Sequence, residues 1–222
     1  MSRRFRDRTD AGRALGVRLA AYAHRPDVSV LALPRGGVPV AFEIAKALQA
    51  PLDVFLVRKL GVPGREELAM GAIATGGVRV LNQEIVRGFH IPDHLIERVS
   101  REEELELNRR ERAYRGDRPP LEVAGRAAIV VDDGLATGSS MRAATVALRK
   151  LEPARIVVAV PVAAPEICSE LQTEVDEMVC ARTPDPFYAV GLWYEEFDQT
   201  TDDEVRDLLE RASKEISAVP TH

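Results

Sequence analysis

The feature that most constrains this chain is a series of short, almost wholly apolar runs at 28–33, 52–57, 127–131 and 156–162, spaced apart by segments of helical periodicity. A strand with one wet face alternates apolar and polar residues, whereas a strand without alternation is covered on both sides. Such strands separated by helices predict an α/β fold with a mainly parallel sheet flanked by helices. A further strand is expected at 177–181. Ala11, Leu15, Leu19 and Tyr22 mark a first helix, capped by Thr9 or Asp10 and closed by Pro26; Val40, Ile44 and Leu48 mark a second. Helices carrying Met141, Ala144 and Leu148, and spanning about Pro165 to Leu171, alternate with the later strands. Met70–Ala74 and Val78–Leu81 flank "TGG" and read as a hairpin. The segment "ERVSREEELELNRRERAYRG" has dense opposite charges and few apolar anchors, so it reads as a solvated helix ended by Gly116, Pro119 and Pro120. Thr201 and Glu204 have the spacing of a capping box ahead of Val205, Leu208, Leu209 and Ala212, and the tail "SAVPTH" reads as frayed.

With 222 residues and 45% hydrophobic content, the chain suits one substantial core with a small appendage. A net charge of -5 argues against general nucleic-acid binding, which needs a basic face to displace counterions. No stretch approaches the roughly 18 to 20 apolar residues of a membrane span, and the basic N-terminus leads into no apolar signal region. Cys168 and Cys180 form no evident disulfide or metal framework, with Cys180 expected to be a buried thiol. A soluble, cytoplasmic protein is therefore expected.

In open parallel sheets ligands collect beyond the carboxyl ends of the strands. The stretch "VVDDGLATGSS", 130–140, places two acids directly after a strand and a glycine- and hydroxyl-rich turn before a helix near Ser139. Free amides at a helix start, with the hydroxyls of Thr137, Ser139 and Ser140, suit a phosphate monoester. No lysine follows in the P-loop position, which excludes that motif. Asp132 and Asp133 would repel a phosphate and instead suit neutral hydroxyls, so a ribose 5-phosphate satisfies both ends. The bland alternative is an acidic turn that merely caps the helix.

The run "IVVDDGLATGSSM", Ile129 to Met141, resembles the phosphoribosyl pyrophosphate (PRPP) signature of type I phosphoribosyltransferases, with the likeness extending over about residues 28 to 162. The resemblance implies that fold as a single domain over 1–222, with a core at about 28–182 and a small C-terminal hood from about 183–222, joined in one version by 1–25. It implies ribose-phosphate binding by Asp132, Asp133, Gly134, Leu135, Ala136, Thr137, Gly138, Ser139 and Ser140. Arg35, Gly36 and Gly37 fall where the family has its pyrophosphate loop, which often includes a non-proline cis peptide. Arg58 and Lys59 fall where cations meet the pyrophosphate. The hydrophilic stretch "LGVPGREEL" corresponds to a mobile loop, from which Glu67, or less readily Glu66, would meet the incoming base.

The resemblance further implies Mg2+ as cofactor, bridging the pyrophosphate and ribose hydroxyls with only indirect help from Asp132 and Asp133. The implied reaction transfers the 5-phosphoribosyl group of PRPP to a nitrogenous base with release of pyrophosphate, as in nucleotide salvage. Ala136 replaces the aspartate of hypoxanthine-guanine members. Phe187, Trp193 and Tyr194 are candidates for the base contact, set against a purely structural aromatic cluster. A regulator that senses PRPP or a nucleotide without turnover is the alternative, and a hydrolase using Asp132 as nucleophile is a poorer one. Members of the family often assemble, which allows for a homo-oligomer.

Overall fold

The computed structural model describes residues 4–116, 118 and 122–217; Pro119, Pro120 and most of the expected frayed tail lie outside the described residues. Strands β1 (Val28–Ala32) and β2 (Leu52–Val54) flank helix α2 (Gly37–Leu48) in sequence, after helix α1 (Arg8–Arg18). Then come strands β3 (Val57–Val62), β4 (Arg65–Ala74) and β5 (Val78–Leu81), followed by helices α3 (Gln83–Gly88) and α4 (Asp93–Arg115). The last part alternates regularly: β6 (Ala127–Val131), α5 (Ser139–Arg149), β7 (Arg155–Val162), α6 (Pro165–Glu174), β8 (Glu177–Arg182), then α7 (Asp202–Ser217).

The central sheet has the order β2-β1-β6-β7-β8, and every pair in it is parallel. Successive side chains on a strand point to opposite faces, and both faces are dry. Val30, Ala32, Ile129, Val131 and Val157 pack with Leu15, Ile44 and Leu209 from α1, α2 and α7. Leu31, Ala128, Val130, Ile156 and Val158 pack with Met141, Leu148 and Leu171 from α5 and α6. This is the parallel, doubly covered α/β sheet that the unalternated runs predict. Among the described residues no helix is long and apolar enough to cross a membrane.

Several local expectations are corrected. The strand expected over 52–57 stops at Val54, where its partner β1 also ends (Ala32 opposite Val54). The chain then turns into a second, antiparallel sheet, β3-β4-β5. Arg58 and Lys59 therefore sit on β3 rather than in a loop after β2, and "LGVPGREEL" is a hairpin. Its turn has the usual chemistry, with Pro63 followed by Gly64 at φ 78°. Burial of Leu60, Val62 and Met70 holds the ribbon against the body. The "TGG" hairpin is present as expected, with Ala74 opposite Val78. Helix α1 starts one turn earlier than the expected cap, because the Asp7 carboxylate accepts from the Asp10 amide at 2.7 Å. At α7 the Glu204 amide donates to Thr201 Oγ1 at 3.1 Å.

Cys168 and Cys180 are joined in a disulfide, which overturns the expectation of unpaired thiols. Helix α6 turns back through a short connection and lies on β8, which brings the two Cα atoms to 6.8 Å. The compartment argument that rested on unpaired cysteines falls with it.

Helix α4, read as a solvated charge run, is tied to the body. Ile96 and Leu107 are buried, Arg115 pairs with Asp53 of β2 at 2.9 Å, and the Tyr114 hydroxyl donates to Asp202 at the start of α7 at 2.7 Å.

Candidate functional site

From β1 the chain winds one way to β2, while on its other side β1 pairs with β6, which continues to β7 and β8. The loops leaving β1 and β6 therefore diverge from adjacent strand ends and leave a crevice between them, the switch point at which ligands bind in such sheets. The two strand ends are in register, Ala32 opposite Val131, and the Leu33 amide donates to the Val131 carbonyl at 2.8 Å. "LPRGG" and "DDGLATG" thus face each other.

The contact between these loops explains the glycines. A Cβ on Gly36 would lie 2.0 Å from Asp133 Oδ2, and one on Gly37 would lie 2.6 Å from the Val131 carbonyl oxygen. Neither glycine has a positive φ; both are needed because a side chain would collide with the acid loop. The peptide between Pro34 and Arg35 is cis.

The two aspartates have different surroundings. Asp133 is held from the N-terminal side: Arg8 Nε donates to its Oδ2 at 2.9 Å and a second guanidinium nitrogen lies at 2.8 Å. Arg8 also stacks over the Phe197 ring at 4.0 Å and donates to the Asp198 carbonyl. Tyr194 donates its hydroxyl to the Asp133 backbone carbonyl at 2.6 Å, with its ring stacked on Phe197 and tilted against Phe5. Burial pushes the Asp133 carboxyl up and Arg8 pulls it back. Asp132 accepts the Asp133 amide at 2.8 Å and has no ion-pair partner among the described residues. Burial, then the neighbouring Asp133 charge, raises its carboxyl well above the usual carboxylate range.

After the acids, Gly134 passes so close to Val190 that a Cβ would meet its Cγ1 at 2.5 Å. Leu135 is buried and its amide is spent on the Val162 carbonyl at 2.9 Å, so it anchors the turn to β7 and offers no donor to a ligand. Ala136 and Thr137 are exposed, and α5 begins at Ser139 behind Gly138 at φ 71°. Thr137 Oγ1 lies 3.1 Å from Ser139 Oγ. The exposed part of the turn is therefore Ala136, Thr137, Ser139 and Ser140, with its hydroxyls at a helix start.

A cavity of about 120 Å³ lies at the crevice, bounded by Leu33 and Pro34 from the first loop, Asp132 and Ser140 from the second, Phe55 to Arg58, and Arg110 of α4. Arg58 is held by Glu103 of α4, with Nε donating at 2.6 Å. Lys59, the next residue on β3, belongs to the other face of the ribbon; it pairs loosely with the exposed Glu67 at 3.6 Å, and neither lines the cavity. Of the aromatic candidates, Tyr194 is buried in a cluster with Phe5, against which Phe187 and Trp193 pack. The Trp193 carbonyl accepts the Phe5 amide at 2.9 Å. The N-terminal segment, rather than α7, closes this aromatic cluster. Arg8 and Arg110 escaped sequence reasoning: one lies in a basic N-terminus and the other in a run of mixed charge, and no local pattern separates them from solvated arginines.

The model of the phosphoribosyl transferase domain matches residues 10–191. The chain is 49% identical over 213 residues, 96% of its length, to a protein named "Putative phosphoribosyl transferase" in two strains of Mycobacterium tuberculosis. It spans about half the length of those relatives, 48%. The crystal structure of TT1426 from Thermus thermophilus superposes with a TM-score of 0.83 at 42% identity, covering 94% of this chain and 98% of that one. By its sequence over 10–191, the chain belongs to the phosphoribosyl transferase family.

Proposed function

We propose that the protein transfers the 5-phosphoribosyl group of PRPP to a nitrogenous base with Mg2+ as cofactor. The observation that carries this reading is the convergence of Asp132, Ser140, Pro34 and Arg58 on one cavity at the switch point of the sheet. In this reading the amides and hydroxyls of 136–140 hold the 5-phosphate. Asp132 accepts from the ribose hydroxyls, and the loop at Arg35, Gly36 and Gly37 adjoins the pyrophosphate. Arg58, released from Glu103, faces the leaving group, whose negative charge grows as the C1–O bond breaks and the C1–N bond forms. Lys59 and Glu67 are left outside the machinery.

The donor set fits a divalent ion that arrives with its ligand. No group of three or more His, Cys, Asp or Glu among the described residues could cage a metal, yet Asp132 presents a carboxylate without a cation beside a second acid. Mg2+ bound to PRPP would neutralise charge on the pyrophosphate, with Asp132 and Asp133 as the nearby acids.

A sensor that binds PRPP without turnover is favoured by one observation: among the residues bounding the cavity Asp132 is the sole carboxylate and there is no histidine, cysteine or lysine, so few groups are at hand to move a proton to or from a base. Pyrophosphate release from Mg-PRPP across a panel of purine and pyrimidine bases separates the readings. Base-dependent release is expected; PRPP binding without release for any base would favour the sensor.

A further inference from the structure

Helix α4 carries polar side chains on both flanks of its buried stripe, Leu107 and Tyr114. Glu103, Glu106 and Arg110 lie on one flank, toward the crevice. Asn108, Glu111, Arg112 and Arg115, at i, i+3, i+4 and i+7, lie on the other. This second flank walls a separate cavity of about 460 Å³, which shares no lining residue with the crevice cavity. The turn of the β4–β5 hairpin, at Thr75, Gly76 and Gly77, forms another wall, with Leu151 just beyond α5. The space is of the size that small-molecule ligands occupy.

Three guanidiniums, those of Arg112, Arg115 and Arg118, border this cavity against one carboxylate, that of Glu111. Arg115 is 7% exposed and pairs with Glu111 at 2.6 Å and Asp53 at 2.9 Å, which fixes its place in the wall. Arg118 donates to the Tyr114 and Leu209 carbonyls at 3.2 Å, neutral acceptors that hold the guanidinium without cancelling its charge. Among the described residues the side chains of Arg112 and Asn108 make no hydrogen bond or ion pair. Convergent guanidiniums with an unspent cation suit phosphate groups, whose oxygens arginine meets in bidentate geometry. No aromatic ring borders the cavity and Leu151 is its sole large apolar residue, so a purine or pyrimidine has no surface to stack on. Asn108 can both donate to and accept from hydroxyl groups. The chemistry is that of a phosphorylated, hydroxyl-rich molecule without a base.

The cavity is joined to the crevice through two elements. Thr75, in its wall, donates its amide to the Leu56 carbonyl at 2.9 Å and accepts the Leu56 amide on Oγ1 at 3.0 Å, and Leu56 bounds the crevice. Helix α4 is the second link, since its Glu103 holds Arg58. We propose that this cavity is an effector site for a sugar bisphosphate, with Arg112 as its principal ligand and Arg115 and Arg118 beside it, and that its occupation alters ribose-phosphate binding in the crevice. Binding at the cavity stands independently of the PRPP reading; its effect on the crevice rests on that reading.

The test is calorimetric titration of fructose 1,6-bisphosphate into the full chain, with and without saturating ribose 5-phosphate, and with fructose as the uncharged control. The bisphosphate is expected to bind in both conditions and fructose in neither, and saturation with the bisphosphate should shift ribose 5-phosphate affinity about fivefold or more. Arg112→Ala should weaken the bisphosphate about tenfold or more and leave ribose 5-phosphate, titrated alone, unchanged. Arg112→Lys should recover only part of the loss, because an ammonium lacks the fork. Arg101→Ala, an exposed position on the same helix, should change neither ligand. The site is overturned if the wild-type chain takes up no bisphosphate, if Arg112→Ala binds it as tightly as the wild type, or if ribose 5-phosphate displaces it completely, which would put it in the crevice. Equal ribose 5-phosphate affinity with and without the bisphosphate would overturn the effector role. Failure of ribose 5-phosphate to bind at all would instead sink the PRPP reading, while the dependence of bisphosphate binding on Arg112 would still decide the cavity.

Discussion

Adjacent, chemically identical residues have unequal roles in this site. Asp132 faces the cavity without a cation, while Asp133 is clamped between Arg8 and the Cα of Gly36. Of the pair, Asp132→Asn should therefore have the larger effect on ribose 5-phosphate affinity, about tenfold or more, with Asp133→Asn acting mainly through the shape of the loop. The same substitution bears on stability. Asp132 ionises less readily in the folded chain than at its ordinary value of 3.8, so its contribution is fully present below that value and is lost progressively as the pH rises from there to about 8. Asp132→Asn should thus raise unfolding free energy near neutrality by roughly 1 kcal/mol after allowance for solvent screening, and flatten its decline with pH. Urea melts from pH 4 to 8 check this; a less stable variant at neutral pH would count against an unpaired, desolvated Asp132. Arg8→Ala works the other way, stranding the Asp133 carboxylate at a site where both side chains are mostly buried (12% and 17% exposed). A loss of about 2 kcal/mol is expected, and a change below about 0.5 would mean that the pair behaves like a surface contact.

At the level of elements, the crevice depends on backbones that nearly touch. Gly36→Ala should displace Asp133 and weaken binding of ribose 5-phosphate together with overall stability; a variant with unchanged melting and affinity would show that the loops have room. The disulfide between α6 and β8 closes a short loop, with a sequence separation of 12, and its reduction should lower stability by about 2 to 3 kcal/mol in denaturant melts. Identical melts with and without dithiothreitol would mean the cysteines are unpaired in solution. The elements readable from sequence were those whose evidence is local: the unalternated strands at 28–32 and 127–131, the helix starting at Ser139, the hairpin around Gly76 and Gly77, and the cap at Thr201. The acid pair and the hydroxyl-rich turn were legible for the same reason, since one continuous stretch carries both. What stayed hidden depends on distant partners. The stretch between Lys59 and Ala69 resembles a loop until its apolar residues meet the body, Cys168 finds Cys180 only once α6 lies on β8, and Arg8 reaches an acid 125 positions away.

For the molecule as a whole, an acidic chain with a net charge of -5 can still receive a polyanion, because the charge is distributed unevenly. Arg35, Arg58, Arg109 and Arg110 border the crevice cavity and a neighbouring one, and the acids beside them, Glu103, Glu106 and Asp202, pair with these same arginines. The doubly covered parallel sheet supplies a rigid base, and the site is assembled on it from the N-terminal segment, both switch-point loops, β3 and α4. The most direct test of this arrangement is calorimetric titration of Mg-PRPP into the wild-type chain and Asp132→Asn side by side. The account predicts saturable one-site binding to the wild type and a loss of about tenfold or more in the variant. Absence of PRPP binding, or equal affinity for the two proteins, would contradict it.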